Sequence, residues 1–250
     1  MKATPHRRIS LLKFPAFFLL LLLSGWASGQ AVRVTGRVEI RSNEAHKGKP
    51  SDASGVVVWL TPVGNSLPPS AKPDPSSPHL RLVQKNKHFE PHVLVVPVGA
   101  SVEFPNRDPF FHNVFSLFEG KRFDLGLYEA GTTRDVHFDK PGISYIFCNI
   151  HAEMSAVVIA LDTPYYAISG PRGELSIANV PSGRYQLRVW SEVSLPDELK
   201  EMTREVTISG TSASLGTLQI AETQLAHVHK NKYGRDYDRP APSSPAYEQR

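Results

Sequence analysis

The sequence contains a single cysteine, Cys148. A chain with one thiol cannot form an internal disulfide, so its fold depends on a hydrophobic core instead. In an oxidising compartment a lone thiol is a liability unless it is buried, paired with another chain or bound to a metal. Cys148 is therefore either a buried structural thiol or a functional one. The residue types that surround it in the sequence distinguish these two possibilities.

Acidic residues are absent from residues 1–29, which begin with four basic residues and continue into an apolar run over 14–23. A basic start, a short apolar centre and small residues at 24–29 are typical of a secretory signal. The run is short for a membrane span, and a retained N-terminal anchor is the alternative. We predict a signal peptide over 1–29, bacterial export to the periplasm or the medium, and no transmembrane segment after cleavage. The pair Arg7-Arg8 leaves the general and the twin-arginine routes both open.

A large net charge is also absent once this segment is removed. The whole chain has a formal net charge of +4, from 28 basic and 24 acidic residues. Residues 1–29 hold four of the basic residues, which leaves 24 of each sign and a net charge of zero. Because nucleic-acid binding draws on a basic surface, the composition excludes nucleic-acid binding through net charge.

Helical periodicity is scarce, and short apolar, β-branched runs separated by Gly, Pro, Asn and Asp take its place. Regularly spaced short strands with turn signals favour an all-β sandwich or barrel. The predicted strands cover 32–40, 55–62, 92–98, 101–104, 134–138, 143–147, 156–161, 185–190 and 205–208. Residues 196–204 are the best helix candidate, with a loop as the alternative. Residues 63–79 have the proline and serine content of a linker, and 223–250 read as a disordered tail.

The chemistry is concentrated around the cysteine. Cys148 is followed by His151 and then Met154, each three residues further on. A thiolate, an imidazole and a thioether suit a soft, redox-active metal, and copper held by two His, one Cys and a weak axial Met is the electron-transfer version of that set. His112, in Phe110-Phe-His-Asn-Val-Phe115, is the candidate for the second imidazole. Zn²⁺ bound by the Cys and both His is the chemical alternative, although a thioether adds little to a zinc site.

The middle of the chain resembles the cupredoxins. The resemblance rests on Val98-Gly-Ala-Ser-Val-Glu-Phe-Pro-Asn106, on His112-Asn113, and on Pro141-Gly-Ile-Ser-Tyr-Ile-Phe-Cys148 with its downstream His and Met. It covers about residues 80–162, and the short ligand loop is most similar to that of amicyanin. The resemblance implies a Greek-key β-sandwich with one type 1 copper per chain, held by His112, Cys148, His151 and, as the long axial ligand, Met154. It also implies that Asn113 and Asn149 support the ligands and tie the two loops together.

A second resemblance flanks the first. Val34-Thr-Gly-Arg-Val38, a hairpin at Gly173 and Val180-Pro-Ser-Gly-Arg-Tyr185 are similar to the carboxypeptidase regulatory-like, or transthyretin-like, sandwich. Since these motifs lie on both sides of the cupredoxin-like stretch, we predict a discontinuous second sandwich from residues 30–62 and 163–222, with 80–162 inserted. The alternative is that the first two strands extend the cupredoxin sheet.

These expectations lead to a function. Taken as a whole, the chain is similar to cupredoxin-containing proteins described as methylamine utilization proteins. The resemblance implies a one-electron carrier, with an exported dehydrogenase or a cytochrome as partner and His151 as the electron exit. Since no Ser/His/Asp set or phosphate-binding glycine loop stands out, we predict that the chain is not an enzyme. Copper binding without electron transfer, as a chaperone, buffer or sensor, is the alternative from another class, and a metal-free adhesion or scaffold protein is the third. His227 and His229, in the tail, are interpreted as solvated.

Overall fold

The computed structural model describes residues 31–42, 52–64, 80–117, 119–223 and 229–237. Within these ranges the chain forms sixteen strands and one short helix, and the prediction of an all-β protein is confirmed. The elements are, in chain order, β1 (Ala31–Ser42), β2 (Val57–Pro62), β3 (Val83–Lys85), β4 (His88–Glu90), β5 (Val93–Pro97), β6 (Ala100–Pro105), β7 (His112–Ser116), β8 (Phe123–Tyr128), β9 (Thr133–Phe138), β10 (Gly142–Cys148), β11 (Ser155–Leu161), β12 (Tyr166–Ile168), β13 (Glu174–Pro181), β14 (Gly183–Trp190), α1 (Pro196–Glu201), β15 (Arg204–Ile208) and β16 (Ser212–Glu222).

The chain on either side of the middle stretch forms one unit, here called the terminal sandwich. One sheet has the order β13-β1-β16 and the other the order β12-β2-β14-β15. β1 runs parallel to β16 and antiparallel to β13, while β2 lies between β12 and β14. A shared core that includes Val34, Leu60 and Leu187 lies between the two sheets. The first two strands of the chain therefore pair with its C-terminal strands and not with the middle ones.

Residues 80–161 form a second unit, here called the central sandwich. Its larger sheet has the order β5-β11-β10-β7-β8, and β6 pairs with β9 opposite it. Phe104, Phe138 and Ile146 are fully or almost fully buried in its core, together with Cys148 and Met154. A small hairpin of β3 and β4 lies at the edge, and its tip carries Asn86 and Lys87. The cysteine is thus part of a hydrophobic core and not of a surface loop.

Strand β11 joins the two sandwiches. Its residues Ala156-Val-Val-Ile-Ala-Leu161 are apolar without interruption, the pattern of a strand covered on both faces. Ala156, Val158 and Ala160 face the core of the central sandwich. The alternate residues pack with Val57 and Trp190 of the terminal sandwich. Both faces of β11 are apolar, so each face has to be covered by apolar side chains. The central sandwich covers one face and the terminal sandwich covers the other.

A histidine–carboxylate pair closes one edge of this interface. The His92 ring donates to the Ser155 carbonyl at 3.1 Å and to the Glu192 carboxylate at 2.6 Å, which engages both ring nitrogens as donors. The hydrogen bond to Glu192 outweighs burial and raises the pKa of His92 above its usual 6.5. Because the folded pKa is the higher one, the stabilisation is fully present below about pH 6.5 and is lost as the pH rises through the raised value. The pair is half-exposed, so the loss is less than about 1 kcal/mol.

We expect Glu192→Gln to flatten this pH dependence of the free energy of unfolding, measured by denaturant titration from pH 5.5 to 8.5. Glu205→Gln is the matched control, since Glu205 is paired with Arg184 away from the interface. Equal slopes for the two variants would contradict the assignment to His92.

The observed elements agree with most of the predicted ones. All nine predicted strands overlap observed ones, and the predicted helix appears as Pro196–Glu201. His112 is the first residue of β7, and this segment is a strand because β8 and β10 pair with it on its two sides. The signal peptide over 1–29, residues 65–79 of the linker and His227 lie outside the described residues. In the part of the chain that the structure describes, no helix has the length and apolar character to cross a membrane.

Residues 229–237 depart from the prediction of a disordered tail over 223–250. They form a turn in which the Asn231 side chain accepts hydrogen bonds from the backbone N–H groups of Tyr233 and Arg235, both at 3.0 Å. This turn, here called the C-terminal turn, lies against the central sandwich. The sequence of this turn has no apolar periodicity, and that absence did not indicate disorder. The turn is held in place by hydrogen bonds and ring contacts, which need no periodic pattern.

Candidate metal centre

Cys148 is positioned by a strand and a tight loop. It is the last residue of β10, where alternate residues Ser144, Ile146 and Cys148 point into the core. The chain then turns back at once. The Cys148 N–H donates to the Met154 carbonyl at 3.2 Å, and the Met154 N–H donates to the His151 carbonyl at 3.1 Å. These bonds confine the loop from 149 to 154 to a compact shape.

His112 comes from the neighbouring strand. β7 pairs with β10 so that Val114 lies opposite Cys148, and the Asn149 N–H donates to the Asn113 carbonyl at 2.8 Å. The start of β7 is therefore tied to the start of the ligand loop. This register places the side chain of His112 beside the cysteine.

Three of the four predicted ligands converge. The Nδ1 atoms of His112 and His151 each lie 3.6 Å from the Cys148 sulfur. All three donor atoms lie within 4.8 Å of one another. A metal about 2.0 Å from nitrogen and 2.3 Å from sulfur, with an angle of about 110–120° between the two bonds, separates the two donors by about 3.5–3.7 Å. Met154, the fourth, is fully buried on the same loop and in the same core cluster as Cys148.

The cysteine is shielded from solvent. Burial raises the pKa of the Cys148 thiol, and the backbone N–H groups of Asn113, Ile150 and His151 that point at the sulfur offset this only in part. The metal-free protein therefore holds a neutral thiol at neutral pH. A metal ion that binds the sulfur as a thiolate displaces this proton. The positive charge of the metal then stabilises the buried thiolate, which solvent cannot reach.

Both imidazoles are neutral as well. Burial, and then the neighbouring His112, lower the pKa of His151 to about 4. Burial also lowers the pKa of His112, and the carboxylate of Asp108 offsets that effect only in part. Each ring therefore presents a lone pair at neutral pH, which is the form that binds a metal. Two buried imidazoles and one buried thiol that can become a thiolate fit copper or zinc chemically.

The two predicted supporting asparagines do connect the loops, although not through their side chains. The tie between them is the backbone bond from Asn149 to the Asn113 carbonyl. The Asn113 side chain instead donates to Asp124 at 2.7 Å and to the Gly126 carbonyl at 3.1 Å. The Asn149 side chain accepts from the Lys232 N–H at 2.9 Å. Asn113 thus braces β8, and Asn149 holds the C-terminal turn.

Asp108 belongs to this site and was missed by the sequence reasoning. Its carboxylate, 4 % exposed, accepts a hydrogen bond from His112 Nε2 at 2.9 Å. Burial would raise the pKa of Asp108, but the N–H groups of Lys87, His112 and Asn86 outweigh it and hold the pKa below its usual value. The available signal was a carboxylate four residues before a candidate ligand, in the loop Asn106-Arg-Asp-Pro-Phe110.

Aromatic rings cover the imidazoles. The Phe110 ring centroid lies 5.4 Å from that of His112 and 5.4 Å from that of His151. The ammonium of Lys87 lies over the Phe110 ring, 5.7 Å from its centroid. Phe110 therefore contacts both imidazoles and a lysine ammonium.

The C-terminal turn covers another side of the ligand loop. Tyr237 donates its phenolic hydrogen to the Cys148 carbonyl at 2.6 Å, and His229 stacks on Phe147 with centroids 4.2 Å apart. Lys232 adds an ion pair to Asp124 at 2.7 Å. Residues nearly ninety positions downstream thus help to confine the backbone of Cys148 and Asn149.

No protein-family model matches the chain, and no curated protein matches it. Several solved structures are similar to between about a third and two fifths of it. A copper-containing nitrite reductase from Thermus scotoductus has 26 % identity over 33 % of this chain and 22 % of its own, with a TM-score of 0.32. The chain thus spans under a quarter of that enzyme's length. A purple cupredoxin from Nitrosopumilus maritimus has 21 % identity over 33 % of this chain and 99 % of its own, with a TM-score of 0.30.

A mutant of amicyanin has 19 % identity over 42 % of this chain and 98 % of its own, with a TM-score of 0.32. At such TM-scores the similarity does not identify a metal. The metal at His112, Cys148 and His151 has to be inferred from the donors themselves.

Proposed function

We propose that this chain is an exported type 1 copper protein that carries one electron at a time. The observation that supports this most is the donor set, in which one sulfur lies 3.6 Å from each of two imidazole nitrogens inside a hydrophobic core. Met154, fully buried three residues after His151, is the proposed fourth donor and would bind more weakly than the other three. The basic, acid-free segment before residue 30 supports export.

Copper held by a thiolate, two imidazoles and a thioether would supply one-electron chemistry between Cu(I) and Cu(II). The chain's part is to hold these donors in one arrangement. His112 lies in a strand paired on both sides, and Cys148 ends another such strand. The backbone bonds from Cys148 to Met154 and from Met154 to His151 confine the remaining donors. Such rigidity favours electron transfer, because neither oxidation state can draw the donors into a new geometry.

His151 is the proposed point of electron exit. It is 6 % exposed, whereas His112, Cys148 and Met154 are fully buried. Apolar side chains are exposed nearby in the fold: Phe111 precedes His112 and is 50 % exposed, and Leu127, opposite Asn113, is 60 % exposed. A small apolar surface formed by such side chains would suit the weak, transient contacts that redox proteins make with their partners. The proposed partner is an exported dehydrogenase or a cytochrome.

The test is to load the protein with one equivalent of Cu(II), record its visible spectrum and follow it by voltammetry. We expect an intense thiolate-to-copper band and fast, reversible reduction at one potential. His137→Ala is the matched control, since it removes an exposed imidazole of the same sandwich and should change neither.

Two other outcomes would refute the proposal in different ways. Sluggish reduction together with rapid loss of Cu(I) to a chelator would favour a copper chaperone or buffer. A colourless protein that prefers Zn²⁺ would show that the site is not a copper site.

A further inference from the structure

The buried carboxylate of Asp108 is not one of the candidate metal ligands, but it contacts one of them and helps to organise the loop that leads to it. It accepts the Nε2–H of His112 at 2.9 Å, and its own N–H donates to the Asn106 side chain at 3.0 Å. Asn106, fully buried, in turn donates to the carbonyl of Phe110 at 2.8 Å. The loop from 106 to 112 is therefore organised around this carboxylate and the imidazole it holds.

A second element is built towards the same carboxylate. The tip of the hairpin between β3 and β4 has two consecutive residues at positive φ, Asn86 at 54° and Lys87 at 56°. This is the conformation of a type I′ turn, and lysine is not one of the residues that favour it. The N–H groups of these two residues donate to the two oxygens of Asp108, at 2.5 and 3.0 Å. The turn is thus anchored on Asp108 across 21 residues of chain.

These bonds determine which nitrogen of His112 carries the proton. A carboxylate that already accepts two backbone N–H groups is held in its ionised form, which can only accept from the imidazole. The proton of His112 therefore lies on Nε2. Its Nδ1, 3.6 Å from the Cys148 sulfur, keeps its lone pair for the metal.

We propose that Asp108 is a positioning residue that orients His112 and tunes the copper site towards Cu(II). This inference rests on the proposed function. A carboxylate hydrogen-bonded to a metal-binding imidazole makes the imidazole a stronger donor and fixes its ring. The stronger donor and the nearby negative charge both favour the more highly charged ion, so Cu(II) gains more than Cu(I).

The experiment compares Asp108→Asn with the unmodified protein and with Asp135→Asn, which removes the same charge from an exposed position on β9. We expect Asp108→Asn to lower the Cu(II) affinity about 10- to 100-fold. The Cu(I) affinity should fall less. Each tenfold loss of Cu(II) affinity relative to Cu(I) affinity raises the reduction potential by about 59 mV. Asp135→Asn should leave both quantities unchanged.

A measurement on the unmodified metal-free protein keeps the inference testable even if Asp108→Asn does not fold. Nitrogen-15 NMR at neutral pH should show His112 protonated on Nε2 and bare on Nδ1. The opposite tautomer would overturn the inference, as would a folded Asp108→Asn whose potential matches that of Asp135→Asn. Those results would leave the thiolate-to-copper band of the unmodified protein intact, whereas absence of that band would refute the proposed function and this inference with it.

Discussion

Replacing Cys148 by serine is expected to abolish the intense visible absorption of the copper-loaded protein. The band arises from charge transfer between a thiolate and Cu(II), and this is the only cysteine in the chain. A serine hydroxyl in the same buried position stays protonated and is a much harder donor than a thiolate. Two imidazoles alone would then bind Cu(II) weakly, without the colour and without fast, reversible reduction.

The measurement is the visible spectrum of Cys148→Ser with one equivalent of Cu(II), with far-UV circular dichroism to verify folding. Val114→Ala serves as the control, because Val114 lies opposite Cys148 and is fully buried but carries no donor. It should lose some stability and keep the band. An intense band that survives in folded Cys148→Ser would show that the chromophore is not the thiolate.

The second large effect is expected in the terminal sandwich, where Gly173→Ala should destabilise the fold by about 2–6 kcal/mol. Gly173 has a φ of 77°, and a Cβ atom there would overlap the carbonyl of Val38. The Val38 N–H donates to the Gly173 carbonyl at 2.7 Å, so the turn before β13 is held tightly against β1. An alanine therefore strains its own backbone and pushes apart two strands of one sheet.

Gly131→Ala separates these two causes. Gly131 has the same φ of 77° but nothing within 4 Å of an added Cβ. It should cost only the backbone strain, about 1–2 kcal/mol. Denaturant unfolding gives both values, and the copper band measured alongside should persist in Gly173→Ala at 25 °C because the donors lie in the other sandwich. Equal losses for the two variants would contradict the role assigned to the overlap.

Local sequence carried most of the information about the ligand loop. The spacing of Cys148, His151 and Met154 places three donors on one short turn after a strand, and that turn needs no distant partner to be recognised. The strands of the core were readable for the same reason, since alternation and turn residues are local properties. β11 was readable as a strand, but its second buried face became interpretable only with Trp190 and Val57 in place.

Contacts between distant segments decided what the sequence could not. Asp108 acquires its role from the hairpin tip at residues 86 and 87, and the polar C-terminal turn from Phe147, Asn149 and the Cys148 carbonyl. No periodicity encodes such contacts, because a hydrogen bond needs one donor and one acceptor in the right place, whereas a hydrophobic core needs a repeated pattern. The sequence by itself therefore determined the all-β class and the candidate ligands. Only the tertiary structure decided which carboxylate supports His112, which strands close the terminal sandwich and which segment covers the cysteine.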